Sequence, residues 1–90
     1  MRTHAPPLMP IFRSQLQGEL LAAVLLSDQE RSVTELAALM RAPVPTVARE
    51  VSRLERAGVF KSRRVGTARL VRADPDSPVA EPLTELVLRT

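Results

Sequence analysis

Pro43 and Gly58 bound the stretch that most restricts how this chain can fold. Pro43 disfavours helical backbone at Ala42, so a helix preceding it has to stop near Arg41. Ala57-Gly58 marks the other limit, with Gly58 suited to the left-handed position just beyond a helix end. Between them Val47, Val51 and Leu54 step by four and three, the buried face of one helix over about 44–56. The opposite side presents Pro45, Thr46, Arg49, Glu50 and Arg53, a polar and cationic surface.

A shorter helix precedes it. Leu36, Ala37, Leu39 and Met40 form its apolar side, and its start is capped either by Thr34 or through the S-x-x-E pattern of Ser32 and Glu35. Ser32-Val33 suits a short strand that pairs with a later hairpin. That hairpin comes from two strand-like runs, 59–64 and 68–72, around a tip at Val65-Gly66-Thr67. Val59, Phe60, Leu70 and Val71 suit its base, while Lys61, Arg63, Arg64 and Arg69 crowd its outer part. A lone hairpin is marginal in water and needs the helices behind it.

The flanks supply two more helices. Residues 1–9, with Pro6 and Pro7, read as a flexible arm, and a domain over 10–90 follows. The first helix runs from about Pro10, a residue that suits a first turn, or from Ser14, which forms an S-x-x-Q pattern with Gln17, to Leu26. Leu16, Leu20 and Val24, with Leu21 and Leu25, make its apolar stripe, and Gly18 within it suggests close packing. After the turn-rich Asp74-Pro75-Asp76-Ser77-Pro78, residues 79–88 read as a last helix, with Leu83, Leu86 and Val87 on one side. The expected fold is therefore mainly α with a small β-hairpin, in the order helix, short strand, helix, helix, hairpin, helix. This is a helix-turn-helix with a wing. The terminal helices are core elements, a dimer seam, or both.

Composition narrows the function. Ninety residues make one domain, and with Phe12 and Phe60 the only aromatics the core must be aliphatic. With no cysteine and a single histidine, His4 in the arm, no sulfur or histidine metal site is expected. No catalytic triad, glycine-rich phosphate loop or paired-carboxylate cleft is present, so neither an enzyme nor a bound cofactor is expected. No run approaches the roughly 20 apolar residues of a membrane span, and the start, MRTHAPPLMPIF, is unlike a secretory signal. A cytoplasmic location is expected. Residues 41–72 carry nine basic residues against Glu50 and Glu55, a local charge of +7 within a chain of net +3. The rest, four Arg against eight Asp and Glu, is at −4. A polyanion would meet the basic half, and a protein partner or second subunit the acidic half.

The stretches TELA at 34–37, TVAREV at 46–51, LERAGV at 54–59 and KSRRVG at 61–66 resemble winged-helix regulators of the ArsR-like kind, over about 12–88. The resemblance implies a transcriptional regulator, usually a repressor, that binds double-stranded DNA at a palindromic operator as a homodimer, for which the apolar stripes of the first and last helices offer a seam. It implies that the helix over 44–56 enters the major groove while the wing, 59–72, meets flanking backbone or minor groove. With nothing following Thr90, a free-standing module is expected. A major groove admits one helix, whose exposed turns reach base edges. Thr46, Arg49, Glu50 and Arg53 occupy those turns. Arg49 or Arg53 suits a bidentate pair with guanine, and Glu50 either accepts from cytosine or pairs with a neighbouring arginine. Lys61, Arg63, Arg64 and Arg69 suit phosphates. Three positions depart from the family pattern. Arg41 stands where a turn glycine is usual, Pro43 where a small cap is usual, and Pro45 lies in the first helical turn. A protein-binding winged helix without specific DNA binding is the alternative, suggested by the acidic remainder and the missing cap.

Overall fold

A computed structural model describes residues 5–77, with side chains from 15 onward, together with Pro82, Leu86 and Leu88. Over the described stretch 5–77 six elements follow in order: α1 (Ala5–Leu25), β1 (Arg31–Ser32), α2 (Val33–Met40), α3 (Val44–Arg56), β2 (Phe60–Val65) and β3 (Ala68–Ala73). The strands form one antiparallel sheet in the order β1-β3-β2.

Helix α1 starts at Ala5, ahead of both Pro10 and Ser14, and its helical backbone takes in much of the stretch read as an arm. Pro6 and Pro7 fall in the first turn, where backbone N–H groups have no intrahelical partner and their absence costs little. Ser14 therefore lies inside the helix and does not cap it. Gly18 also departs from expectation. It is exposed, and a Cβ placed on it would meet nothing within 4 Å, so no close packing explains it. Of the last helix expected over 79–88, Pro82, Leu86 and Leu88 are described, each helical and exposed. The rest of that stretch lies outside the described residues.

Ser32 links strand to helix. It ends β1 and caps α2, its Oγ accepting from the Glu35 N–H at 3.0 Å while Glu35 Oε1 accepts from the Ser32 N–H at 2.8 Å. The S-x-x-E pattern is thus the operating cap. It satisfies two otherwise unpaired donors and is worth about 1 kcal/mol.

Helices α2 and α3 end in the same way. The Ala42 N–H donates to the Ala37 carbonyl at 3.0 Å and the Arg41 N–H to Ala38 at 3.3 Å. At the other end, the Val59 N–H donates to Leu54 at 2.9 Å and the Gly58 N–H to Glu55 at 3.0 Å. Both are Schellman motifs, which place one residue in left-handed backbone. That residue is Gly58 (φ 80°) after α3 but Arg41 (φ 55°, ψ 44°) after α2. Helix α3 then starts from Pro43 with no side-chain cap and with Pro45 in its first turn.

The core lies between the three helices and one face of the sheet. Leu16, Leu20 and Val24 come from α1, Val33, Leu36 and Ala37 from α2, Val47, Val51 and Leu54 from α3, and Val59, Phe60 and Val71 from the hairpin base. The core is aliphatic apart from Phe60, which is fully buried. Burying a side chain of that size is worth about 1.5–3 kcal/mol relative to exposure. This packing holds α3 by its apolar face and leaves its other face to solvent.

Candidate nucleic-acid interface

Helix α3 keeps one face exposed. Val47, Val51 and Leu54 turn inward, so Pro45, Arg49, Arg53 and Arg56 are exposed and Thr46 is half-buried. Ala48, Arg49, Ser52, Arg53 and Arg56 line a shallow concavity along this face. Arg49 and Arg56 have no acidic partner among the described residues. Arg53 is 3.9 Å from Glu50, a loose pair.

Glu50 does not belong to that face. It is 5% exposed, and its Oε2 accepts a hydrogen bond from Gln17 Nε2 of α1 at 3.1 Å. A buried carboxylate needs such partners to offset its desolvation. Of the two expectations for Glu50, the base contact is replaced by a structural role tying α3 to α1, and the pairing with a neighbouring arginine remains as the loose contact to Arg53. The signal was present in the spacing. Glu50 lies three residues after Val47 and four before Leu54, so helical periodicity alone puts it on the apolar face. Its chemical type had argued for the other side.

The wing is a hairpin with Val65 opposite Ala68 and a two-residue turn at Gly66-Thr67. Gly66 has φ 62° at the first central position, which glycine adopts without steric cost. The register sorts the wing's cations. Opposed residues share a face, and neighbours along a strand alternate. Phe60, Ser62 and Arg64, with Ala73, Val71 and Arg69 opposite them, lie on the face toward the helices. Lys61, Arg63 and Val65, with Arg72, Leu70 and Ala68, lie on the outer face.

Two of the wing arginines are hydrogen-bonded to carboxylates, and a third lies near one. On the outer face Arg63 makes a two-pronged pair with Glu30, Nε to Oε2 at 2.9 Å and Nη2 to Oε1 at 2.7 Å. Arg72 Nε is 4.0 Å from the same carboxylate. The hydrogen bond from Arg63 holds the Glu30 carboxyl below its ordinary range, against slight burial and helped by the charges of Arg63 and Arg72. Arg63 is correspondingly held more firmly protonated.

On the inner face Arg69 turns under α3. Its Nη2 donates to Glu55 Oε1 at 2.6 Å, Nη1 to Ser52 Oγ at 3.1 Å and to the Ala48 carbonyl at 3.5 Å, and Nε to Ser62 Oγ at 3.2 Å. The Ser62 hydroxyl donates in turn to Glu55 Oε1 at 2.9 Å. Burial alone would push the Glu55 carboxyl up. The bonds from Arg69 and Ser62, with the Arg69 charge, outweigh it and hold the group below its ordinary range.

Of the eight residues singled out in the sequence, Arg49, Arg53, Lys61 and Arg64 are thus exposed and at most loosely paired. Thr46 is at the edge of the α3 face. Arg63 is exposed but matched by Glu30, whereas Glu50 and Arg69 are taken up inside. Arg56 was missed, although it is seven residues from Arg49 and three from Arg53 and so continues their stripe. Arg49, Arg53, Arg56 and the wing-tip Arg64 make a surface that can take a polyanion. Among the described residues, no three His, Cys, Asp or Glu side chains gather as a metal site, and no helix is long and apolar enough to cross a membrane.

Two helices joined by the turn 41–43, a three-stranded sheet and a protruding hairpin, in this order and pairing, are the winged helix-turn-helix fold. No family profile matches the chain and no curated protein is similar to it in sequence. Solved structures are similar in fold. The homodimeric winged helix-turn-helix DNA-binding domain Mb0332 from Mycobacterium bovis, described as a possible ArsR-family transcriptional regulator, has a TM-score of 0.65 at 16% identity, over 98% of this chain and 86% of its own. TubR bound to 24 bp of tubC, from Bacillus thuringiensis serovar israelensis pBtoxis, has a TM-score of 0.67 at 19% identity, over 99% and 96%. The MarR family transcriptional regulator SPO1453 from Silicibacter pomeroyi has a TM-score of 0.63 at 20% identity, over 94% and 65%. The resemblance in the sequence motifs and the likeness of the structures agree on the winged helix.

Proposed function

We propose that the protein is a sequence-specific, DNA-binding transcriptional regulator that acts in the cytoplasm as a homodimer on a palindromic operator, with repression as its mode. The observation that carries this reading is the exposed face of α3, where Arg49, Arg53 and Arg56 line one shallow concavity and, among the described residues, only Arg53 of the three is near a carboxylate. A helix of this length, about 20 Å, fits a major groove, and its exposed turns reach base edges. Arg49 and Arg53 read bases, with Thr46 beside them. Arg64 and Lys61 meet backbone phosphates, and Arg56 extends the cationic track. Similar folds that are described as DNA-bound or as homodimeric DNA-binding domains support the reading. The dimer seam lies in the first and last helices, where Leu86 and Leu88 are exposed apolar residues.

The test is a selection of duplexes from a random pool by the purified protein, followed by titration of the recovered site across a salt series. A palindrome is expected, with affinity falling steeply as salt rises. Arg49→Ala should lose about 1–3 kcal/mol of discrimination at one base pair of each half-site. Binding indifferent both to salt and to Arg49→Ala would overturn the proposal.

The second reading, a protein-binding winged helix, draws on Leu39 and Val44, which stand exposed on either side of the interhelix turn. Tight, sequence-selective DNA binding by the protein alone counts against it. Retention of a protein partner after loss of Arg49 and Arg64 supports it.

A further inference from the structure

Arg69 sits opposite Arg64, one pair back from the wing tip, and its residue type alone would make it a phosphate ligand. Its surroundings give it another task. The side chain is only 19% exposed and makes four hydrogen bonds, three to α3 and one to β2. Its acceptors on α3, Ala48, Ser52 and Glu55, fall on one side of that helix across two turns. Ser62 closes the cluster by bonding both Glu55 and Arg69, so each wing strand is tied to α3. Nearer the tip, Val65, Gly66 and Thr67 are exposed. The hydrophobic anchors lie toward the hairpin base, Val71 opposite Ser62 and Phe60 beyond them. This polar cluster is therefore the last attachment between α3 and the protruding tip.

We propose that Arg69 is a positioning residue, setting the distance and angle of the wing relative to α3 so that Arg64 arrives at the backbone when α3 enters the groove. The proposal rests on the DNA-binding reading above. A guanidinium already committed to a carboxylate, two hydroxyls and a carbonyl has little left for a phosphate. The planar fork that reaches all four acceptors has no equivalent in lysine, which keeps the charge but not the geometry.

Charge and position make opposite predictions at Glu55. If the cluster contributed only charge, Glu55→Gln would remove a negative group near DNA and tighten binding. If it positions the wing, Glu55→Gln weakens binding, because Arg64 no longer reaches its phosphate. One lost phosphate contact lowers the salt slope by about 0.9, roughly eightfold in affinity at 0.1 M salt.

The experiment titrates the full chain and its Glu55→Gln, Arg69→Lys, Ser62→Ala and Arg64→Ala variants with one mixed-sequence duplex across a salt series. Amide hydrogen exchange is followed on each free protein, with far-UV circular dichroism to confirm folding. Expected are weakened binding and a reduced slope in Glu55→Gln and Arg69→Lys, resembling Arg64→Ala, together with faster exchange confined to the wing. Ser62→Ala loosens the same cluster without changing charge and should follow them. Wild-type or tighter binding by Glu55→Gln with unchanged wing exchange overturns the proposal, as does wild-type binding by Arg69→Lys. If the unaltered protein binds no duplex at any salt, the DNA reading fails by itself. The exchange measurement then still decides whether Arg69 holds the wing, since unchanged exchange in all three cluster variants refutes it.

Discussion

Two helices of this protein end in the same hydrogen-bonded motif with different residues at the left-handed position, which makes them a matched pair for a stability experiment. After α2 the position is Arg41, φ 55°, and after α3 it is Gly58, φ 80°. Left-handed backbone costs a residue with a Cβ roughly 1–2 kcal/mol. Glycine avoids that cost but has about 0.4–1 kcal/mol more unfolded-state freedom to lose. Arg41→Gly should therefore stabilise by about 0.5–1 kcal/mol. Arg41→Ala, which removes the same charge but keeps the Cβ, should not. At Gly58 an added Cβ meets nothing within 4 Å, so Gly58→Ala carries only the backbone penalty and should destabilise by a similar amount. For a domain of this size 1 kcal/mol moves the melting temperature by about 4–8 °C. The assay is thermal unfolding of the three variants at one fixed protein concentration, since self-association would make melting concentration-dependent. If Arg41→Gly and Arg41→Ala melt together, the strain assigned to Arg41 is absent and the reasoning fails.

Other outcomes follow from the same structure. Ser32→Ala removes the reciprocal cap of α2 and should cost about 0.5–2 kcal/mol in denaturant unfolding. Leu36→Ala, at a fully buried position, should cost about 2–5 kcal/mol, with a smaller loss showing that the core relaxes around the cavity. Glu50→Ala should lower stability by about 1–3 kcal/mol through loss of its charge-assisted hydrogen bond with Gln17, and an unchanged melting temperature would return Glu50 to the surface. Gly18→Ala, exposed with open space around it, should raise the stability of α1 by about 1 kcal/mol, measured by the same unfolding curve. The Glu30 and Glu55 carboxyls are depressed in the folded state, so their contribution is present above the ordinary value of 4.5 and is lost as pH falls through their lower folded values. Wing amides should exchange faster, relative to the helical core, in that acid window, and a constant ratio between pH 6 and pH 3 would refute the assignment.

Much of the fold was legible because its signals are local. Helix α3 occupies 44–56 as the Pro43 and Gly58 limits require, and the S-x-x-E pattern does cap α2. The hairpin turns at Gly66-Thr67, within the expected tip. The start of α1 was less legible, because Pro6 and Pro7 read as loop residues but also suit a first helical turn. The candidate site divides along the same line. Arg49 and Arg53 follow from helical period, and Arg64 from its place near the hairpin tip. Arg63 and Arg69 did not separate from Arg64, since their partners, Glu30 and Glu55, are 33 and 14 residues away.

By itself, then, the amino-acid order determined where helices stop, which face of α3 is apolar and where the cationic residues concentrate. Backbone preferences and side-chain periodicity act within a few residues and need no tertiary partner to be expressed. Only the tertiary structure decided which of those cations remain available to a polyanion. Packing the hairpin against α3 and the 27–30 loop brings carboxylates from distant parts of the chain onto Arg63 and Arg69. Helix α1, in turn, sets Gln17 against the buried Glu50 carboxylate. An exposed arginine and a committed one have the same sequence signal, and they differ only in what the fold places within hydrogen-bonding distance.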